Sequence, residues 1–408
     1  MDSGPEVNFF ISGPGQVDIE TWADEPLRIQ EESVDPLLLW AMRYRATDIT
    51  FQTDRPVYIE VDGVLYPITR RNLDSADMVN ILTRIYGPDA LAKLASGRDL
   101  DLSYEVRLDR HTRYRYRVNI TAILSRGRDS VQVTMRSLPS LPPTMEDLGI
   151  EKEIINSWAP YQGLILVTGP TGSGKTTLLA AGCRMLIERE KGSGKLLTYE
   201  APIEYVYDSI TSPRSLVAQS EIPRHLPTFA AGVRNALRRK PNVILVGEAR
   251  DRETMSAAIE AGQTGHLVYS TLHTIGVAAT VRRTISVFDP AERTERAYAL
   301  METLRMIVTQ ALVPRVGGGR IGLREYLVFD DNVREQILET PLEKWTFETQ
   351  RFLVRYGKTM EKSANDAFKA GLIDKRTYLL LTKGFSADEV SQDISLDIGV
   401  DDEDTTII

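Results

Sequence analysis

The chain has 408 residues, a formal net charge of −8, 42% hydrophobic residues and 26% charged ones. The length exceeds one ordinary domain, and the composition is that of a globular protein rather than a fibrous or disordered one. The acidic balance argues against a general nucleic-acid binder, because no dominant positive charge is present to release counterions, and no direct nucleic-acid binding is expected. A single cysteine, Cys183, excludes a disulfide within the chain and suits a reducing compartment. No basic segment followed by an apolar run opens the chain, so no secretory signal is expected. No apolar run approaches the roughly 20 residues needed to span a bilayer, so any membrane association is expected to be peripheral.

Residues 1–30, rich in Gly, Pro and acids, read as a flexible N-terminal arm. From Val34 a helical pattern begins with Pro36-Leu37-Leu38-Leu39-Trp40. Alternating segments follow at Asp48–Gln52, Val57–Val61 and Val64–Ile68, the last two joined by the hairpin signal Asp62-Gly63. A helix is expected over 75–96, then strands at 102–108, 113–123 and 130–136. This makes residues 31–136 a smaller α+β domain with a mostly antiparallel sheet. Pro139, Pro142 and Pro143 break regular structure, giving a linker at 137–145. Beyond it, strands and helices alternate as in a βαβ core, giving an α/β domain over 146–330. Strands are expected at 164–168, 195–199, 242–246, 266–270 and 321–328, and helices at 175–190, 227–239, 252–262, 275–286 and 291–312. Residues 331–390 read as a helical region without an assignable motif, and 391–408 as an acidic tail.

The α/β domain carries Gly169-Pro170-Thr171-Gly172-Ser173-Gly174-Lys175-Thr176, a full GxxxxGK[ST] phosphate loop. Leu164–Thr168 before it is an apolar strand, and Thr177-Leu178-Leu179 after it opens a helix. Strand, glycine loop and helix form the context in which backbone N–H groups and a helix N-terminus bind an anion. A nucleoside triphosphate is the expected ligand. Lys175 is placed on the β- and γ-phosphates and the Thr176 hydroxyl on Mg²⁺. Val243–Val246 followed by Gly247-Glu248 is an apolar strand ending in a carboxylate, so Glu248 is expected to hold Mg²⁺ partly through water. The alternative is an acid opening the next helix. Glu200 and Glu204 follow another strand, close to where the γ-phosphate is expected, and for either one an ordinary surface glutamate is an equal reading. His266 and His273 flank one apolar strand, where a histidine would sense or stabilise the γ-phosphate. A packed, hydrogen-bonded His266 is an equal reading. Arg113, Arg115 and Arg117 share one strand face and form either a surface closing over phosphates or, for most of them, a solvated or protein-contact face.

Together these pieces resemble the PilT/GspE-type secretion-ATPase superfamily over about residues 34–330. Ala46-Thr47-Asp48-Ile49 resembles its early "SDIH" segment, and Arg117-Val118-Asn119 with Met135-Arg136-Ser137-Leu138-Pro139 resembles the end of its PAS-like N-terminal domain. Glu200-Ala201-Pro202-Ile203-Glu204 is similar to its Asp box, Gly247-Glu248-Ala249-Arg250-Asp251 to its Walker B box, and Thr264-Gly265-His266-Leu267 through Ser270-Thr271-Leu272-His273-Thr274 to its His box. The resemblance implies a RecA-like P-loop motor domain, ATP hydrolysis, Glu204 polarising water, Glu248 serving Mg²⁺ and His273 beside the γ-phosphate. It also implies arginines reaching the phosphates from the N-terminal domain, with Arg136 and Arg117 the best matches, and Arg238 at a further basic position. Family Asp boxes usually read Glu-Asp-Pro, whereas Ala201 stands here. The Glu-Ala-Pro-Ile-Glu form looks most like the DotB/TraJ ATPases of type IVB secretion and conjugal transfer.

On that resemblance the chain is expected to be a cytoplasmic homohexameric ring using ATP and Mg²⁺. It would be held at the inner-membrane face by protein components of a secretion or pilus-like complex. The alternatives are a pilus retraction or assembly ATPase, a nucleotide-dependent scaffold with negligible hydrolysis, a small-molecule kinase and a nucleic-acid translocase.

Overall fold

The structure is a computed structural model and describes residues 19–109, 112–139 and 141–382. Most of the expected arm and all of the expected acidic tail lie outside the described residues. The chain forms two compact units. The first contains the chain up to Pro142 together with Glu200–Ser209 and Glu221–His225. The second contains Pro143–Tyr199, Ile210–Ser220 and the chain from Leu226 onward. The segments at 200–209 and 221–225 therefore depart from a division by sequence order.

The first unit runs α1 (Glu31–Met42), β1 (Asp48–Gln52), β2 (Tyr58–Val61), β3 (Val64–Pro67), α2 (Ser75–Ile85), α3 (Ala90–Ala95), β4 (Leu100–Arg107), β5 (Arg113–Ser125) and β6 (Arg128–Leu138). Its six strands form an antiparallel sheet in the order β3-β2-β1-β6-β5-β4. At the β2–β3 turn, Asp62 and Gly63 both have positive φ, 51° and 79°, the backbone that a two-residue hairpin needs. Along β5 the even positions Tyr116, Val118 and Ile120 are buried in the core, leaving the odd-numbered arginines on the other face. The helix expected over 75–96 is two helices, because Gly87 (φ 126°) and Pro88 interrupt it. Asp77, fully buried in α2, accepts a bidentate pair from Arg71 and the backbone N–H groups of Ile29 and Asp74. Burial alone would raise its pKa; the Arg71 hydrogen bonds and those two amides hold it below the ordinary carboxylate value. One carboxylate thus pins the start of α1 to α2.

The second unit runs α4 (Lys152–Ser157), β7 (Gly163–Thr168), α5 (Lys175–Glu188), β8 (Gly194–Glu200), β9 (Ser215–Glu221), α6 (Phe229–Ala236), β10 (Val243–Val246), α7 (Arg252–Gln263), β11 (Leu267–Leu272), α8 (Val277–Ser286), α9 (Arg293–Thr303), β12 (Leu304–Pro314) and β13 (Arg320–Val328). It closes with α10 (Asp331–Leu338), α11 (Trp345–Tyr356), α12 (Met360–Lys369) and α13 (Lys375–Thr382). Its sheet has the order β13-β12-β7-β11-β10-β8-β9. Strands β12, β7, β11, β10 and β8 run parallel, and β13 is an antiparallel edge. β7, β10 and β11 are buried throughout, as central strands of a covered parallel sheet are.

One expectation fails here. The single helix expected over 291–312 is α9 followed by the long strand β12. Leu304, Ile307, Val308 and Ala311 recur at helical spacing, but β12 is buried on both faces over Met306–Gln310, so that spacing carries no information about period. The β-branched run Ile307-Val308-Thr309 and pairing with β7 and β13 decide for strand. Among the described residues no helix is long and apolar enough to cross a membrane.

Candidate active site

The loop after β7 is built around a neighbour it cannot move. A Cβ added at Gly169 (φ 139°) would lie 2.3 Å from the Gln310 carbonyl oxygen and 2.7 Å from Ser173 Oγ. At Gly174 (φ 82°), which precedes the first turn of α5, it would lie 2.8 Å from Gln310 Nε2. Only glycine fits either position. Lys175 Nζ turns into the loop and donates to the carbonyls of Gly169 and Pro170, both at 2.9 Å. Ser173 Oγ is buried without a hydrogen-bond partner. A cradle free of Cβ atoms, a buried ammonium, an orphaned hydroxyl and the N-terminus of a 14-residue helix fit a polyphosphate.

Helix α5 is seated on Trp158. The indole is fully buried, stacks on Tyr269 at 5.2 Å between ring centroids, and faces Gly182, where a Cβ would come within 2.2 Å of the ring. The Tyr269 hydroxyl donates to the Trp158 carbonyl. Gly182→Ala is therefore expected to destabilise the chain by about 1–3 kcal/mol through overpacking. Thermal unfolding checks this: an unchanged midpoint would mean that the indole can move aside.

The expected metal acid and one of the two histidines meet beside the loop. β11 neighbours β7, with Leu272 opposite Thr168, and β10 neighbours β11. Glu248 and His273 leave the carboxyl ends of β10 and β11, the end where α/β sheets bind ligands. Their loops are tied together, with Ala249 N–H donating to Thr271 O at 3.1 Å and Thr271 Oγ1 to Gly247 O at 2.5 Å. His273 Nε2 lies 3.5 Å from Glu248 Oε1. Among the described residues no three His, Cys, Asp or Glu side chains gather into a metal cage. The donor set suits Mg²⁺, which keeps waters and takes substrate oxygens with one or two protein ligands.

His266 and Arg238 are not brought to the loop. His266 sits at the opposite end of β11, where its carbonyl accepts from the Gly163 amide and its Nδ1 faces the Ala261 carbonyl at 3.1 Å. Five residues of strand separate Gly163 from Thr168, roughly 16 Å. The packed reading of His266 fits this position, and a γ-phosphate sensor does not. Arg238 follows α6 and precedes β10, again at the amino end of the strands, and is exposed.

Beside the start of α5 lies a cavity of about 320 Å³. Gly174 and Thr177 line it from the loop side, Leu148, Leu312 and Ile321 supply apolar surface, and Arg320 adds charge. Its volume suits a small organic ligand.

In the first unit the odd-numbered arginines of β5 grip the segment that carries Glu204. Arg113 pairs with Asp208. Arg115, 4% exposed, donates to the carbonyls of Ile203 at 2.8 Å and Glu204 at 2.6 Å. Burial pulls the Arg115 pKa down, against an upward pull from Glu105. Arg117 NH1 lies 3.5 Å from Glu204 Oε1. Glu221, buried, takes the Ile203 amide at 3.3 Å and the Ser103 hydroxyl at 2.7 Å on one carboxylate oxygen. Glu200 is buried, whereas the Glu204 carboxylate is partly exposed. Arg136, across the sheet from Arg117, pairs with Asp48 at 3.0 Å and keeps an exposed side chain. Of these four, Arg113 and Arg115 hold protein, and Arg117 and Arg136 keep accessible side chains.

Comparison with known proteins places this arrangement. The profile of the type II/IV secretion system protein family matches residues 24–373. The chain belongs to this family. Within it, the chain is 35% identical over 306 residues to the type IV pilus retraction ATPase PilT of Pseudomonas aeruginosa, covering 75% of this chain and 85% of that protein. Among solved structures it is similar to the Legionella pneumophila ATPase DotB, at 47% identity and a TM-score of 0.86, covering 90% of this chain and all of that one. It is also similar to the pilus retraction motor PilT with bound ADP, at 30% identity and a TM-score of 0.74 over 88% of this chain and 99% of that one. The chain is accordingly a P-loop ATPase of the secretion-system family, with a RecA-like motor.

Two residues at this site were invisible in the sequence. Gln310 touches the loop and Arg324 holds Gln310, and neither belongs to a motif. The one available signal is a glutamine inside the apolar run 304–314.

Proposed function

We propose that the chain is the homohexameric ATPase of a type IVB secretion or conjugal-transfer apparatus, acting at the cytoplasmic face of the inner membrane through protein partners. The observation that carries this reading is the row formed by the phosphate loop, His273 and Glu248 at the ends of adjacent strands, in a chain 47% identical to DotB over nine-tenths of its length. The loop and Lys175 take the phosphates of ATP, and the cavity beside Gly174 and Thr177 takes the base and ribose. Thr176 and Glu248 hold Mg²⁺, Glu248 partly through water; the ion supplies neutralising charge on the β- and γ-oxygens. Glu204 polarises the attacking water, His273 senses the γ-phosphate, and Arg117 and Arg136 supply positive charge to the transition state. Similarity to PilT favours a pilus retraction motor as the second reading.

Light scattering with and without ATP, alongside phosphate release, tests the motor. A ring of six subunits with turnover is expected; a monomer with brisk turnover would end the ring reading. Deleting the gene separates the two apparatuses. Loss of effector or plasmid transfer with intact twitching supports the first reading, and the reverse outcome assigns the chain to a pilus.

A further inference from the structure

Gln310 stands at the end of the stretch of β12 that pairs with β7, one residue past the Thr309–Thr168 pair, and opposite Arg324 on β13. Its Nε2 donates to the Ser173 carbonyl at 2.6 Å, and its Oε1 accepts from Arg324 Nε at 2.8 Å. Arg324 is 3% exposed, and both of its terminal nitrogens also donate. NH1 reaches Gly149 O and Glu151 Oε2, both at 3.2 Å, and NH2 reaches Leu148 O at 3.1 Å. Its backbone N–H donates to Ser363 Oγ in α12 at 3.1 Å. A continuous relay, buried from Ser173 to Arg324, therefore runs from the phosphate loop through β12 and β13 to residues 148–151, near the start of the second unit.

We infer that Gln310 and Arg324 are positioning residues for the phosphate loop, resting on the reading above that this loop binds the phosphates of ATP. The argument is one of direction. A carboxamide has one donor end and one acceptor end. Arg324 presents a donor and no acceptor, so it holds Gln310 Oε1 and forces Nε2 toward Ser173. The Ser173 carbonyl and the Gly174 N–H belong to one trans peptide plane and point in opposite directions. Anchoring that carbonyl on Gln310 aims the Gly174 N–H the other way, toward the phosphate side. Without Arg324 the amide is free to turn, and an oxygen facing the Ser173 oxygen would push the peptide out of register.

The test measures dissociation constants of the full chain for ATP and for inorganic tripolyphosphate, which has neither base nor ribose, together with thermal midpoints. Gln310→Met and Arg324→Met are each expected to weaken both ligands by the same factor, about tenfold. The double variant is expected to be no weaker than either single one, since both break the same relay. If Arg324→Met fails to fold, Gln310→Met alone, which leaves Arg324 its bonds to residues 148–151, still decides the matter. Loss confined to ATP would mean that the pair serves the base cavity, and unchanged affinities with a lowered midpoint would mean a structural role only. Either result overturns the proposal. A wild-type chain that binds neither ligand would instead remove the nucleotide reading itself.

Discussion

Lys175→Ala is expected to lower ATP turnover at least about 10²–10³-fold, the range seen when one preorganised charge donor is removed from a transition state. The ammonium is almost fully buried and already inside the loop, held by the Gly169 and Pro170 carbonyls. Its removal takes away the one formal positive charge of the loop's own eight residues and leaves two carbonyls without that donor. Lys175→Arg should not restore activity, because a planar guanidinium cannot occupy the space of a compact ammonium without displacing those carbonyls. Phosphate release and fluorescent-nucleotide binding, measured on the same preparations, check both variants. Turnover within tenfold of wild type would show that the loop is not where the reaction occurs.

Glu204→Gln should cut turnover by about 10²–10⁴, the usual worth of a positioned general base, while leaving nucleotide affinity close to wild type. The substitution keeps the size of the side chain and an acceptor for Arg117, and it leaves untouched the Arg115 and Glu221 bonds that fix the backbone at 203–204. It removes only the charge that would polarise water. Glu200, at the start of the same segment, is buried and has no comparable exposure. A Glu204→Gln chain that hydrolyses ATP at the wild-type rate would move the base elsewhere, with Glu248 the first alternative.

Local rules made much of this legible. Eight loop residues between an apolar run and a helix-forming run identify the phosphate site because each glycine answers a particular steric demand, as Gly169 and Gly174 do against Gln310. The Asp62-Gly63 hairpin and the shared face of Arg113, Arg115 and Arg117 also follow from short-range geometry. What sequence could not disclose was pairing over long separations. Nothing local shows that Arg115 grips residues 203–204, nor that Gln310 reaches a loop 137 positions away and is held there by Arg324. The same limit separated His266 from His273: both flank one strand, and only the strand's direction tells which end faces the ligand.

The interleaving of the two units bears on how such a chain can be altered by recombination. A module with one boundary is exchanged by one crossover. Here residues 200–209 and 221–225 belong with the amino-terminal unit although strands of the motor sheet lead into and out of them. A chimera joining residues 1–142 of one homologue to 143–408 of another would set a foreign arginine stripe against a resident Ile203–Asp208 segment. Grafting the amino-terminal unit intact requires three separate pieces and five junctions, so the pairing of Arg113 with Asp208 and of Arg115 with the 203–204 carbonyls must be transplanted as a set.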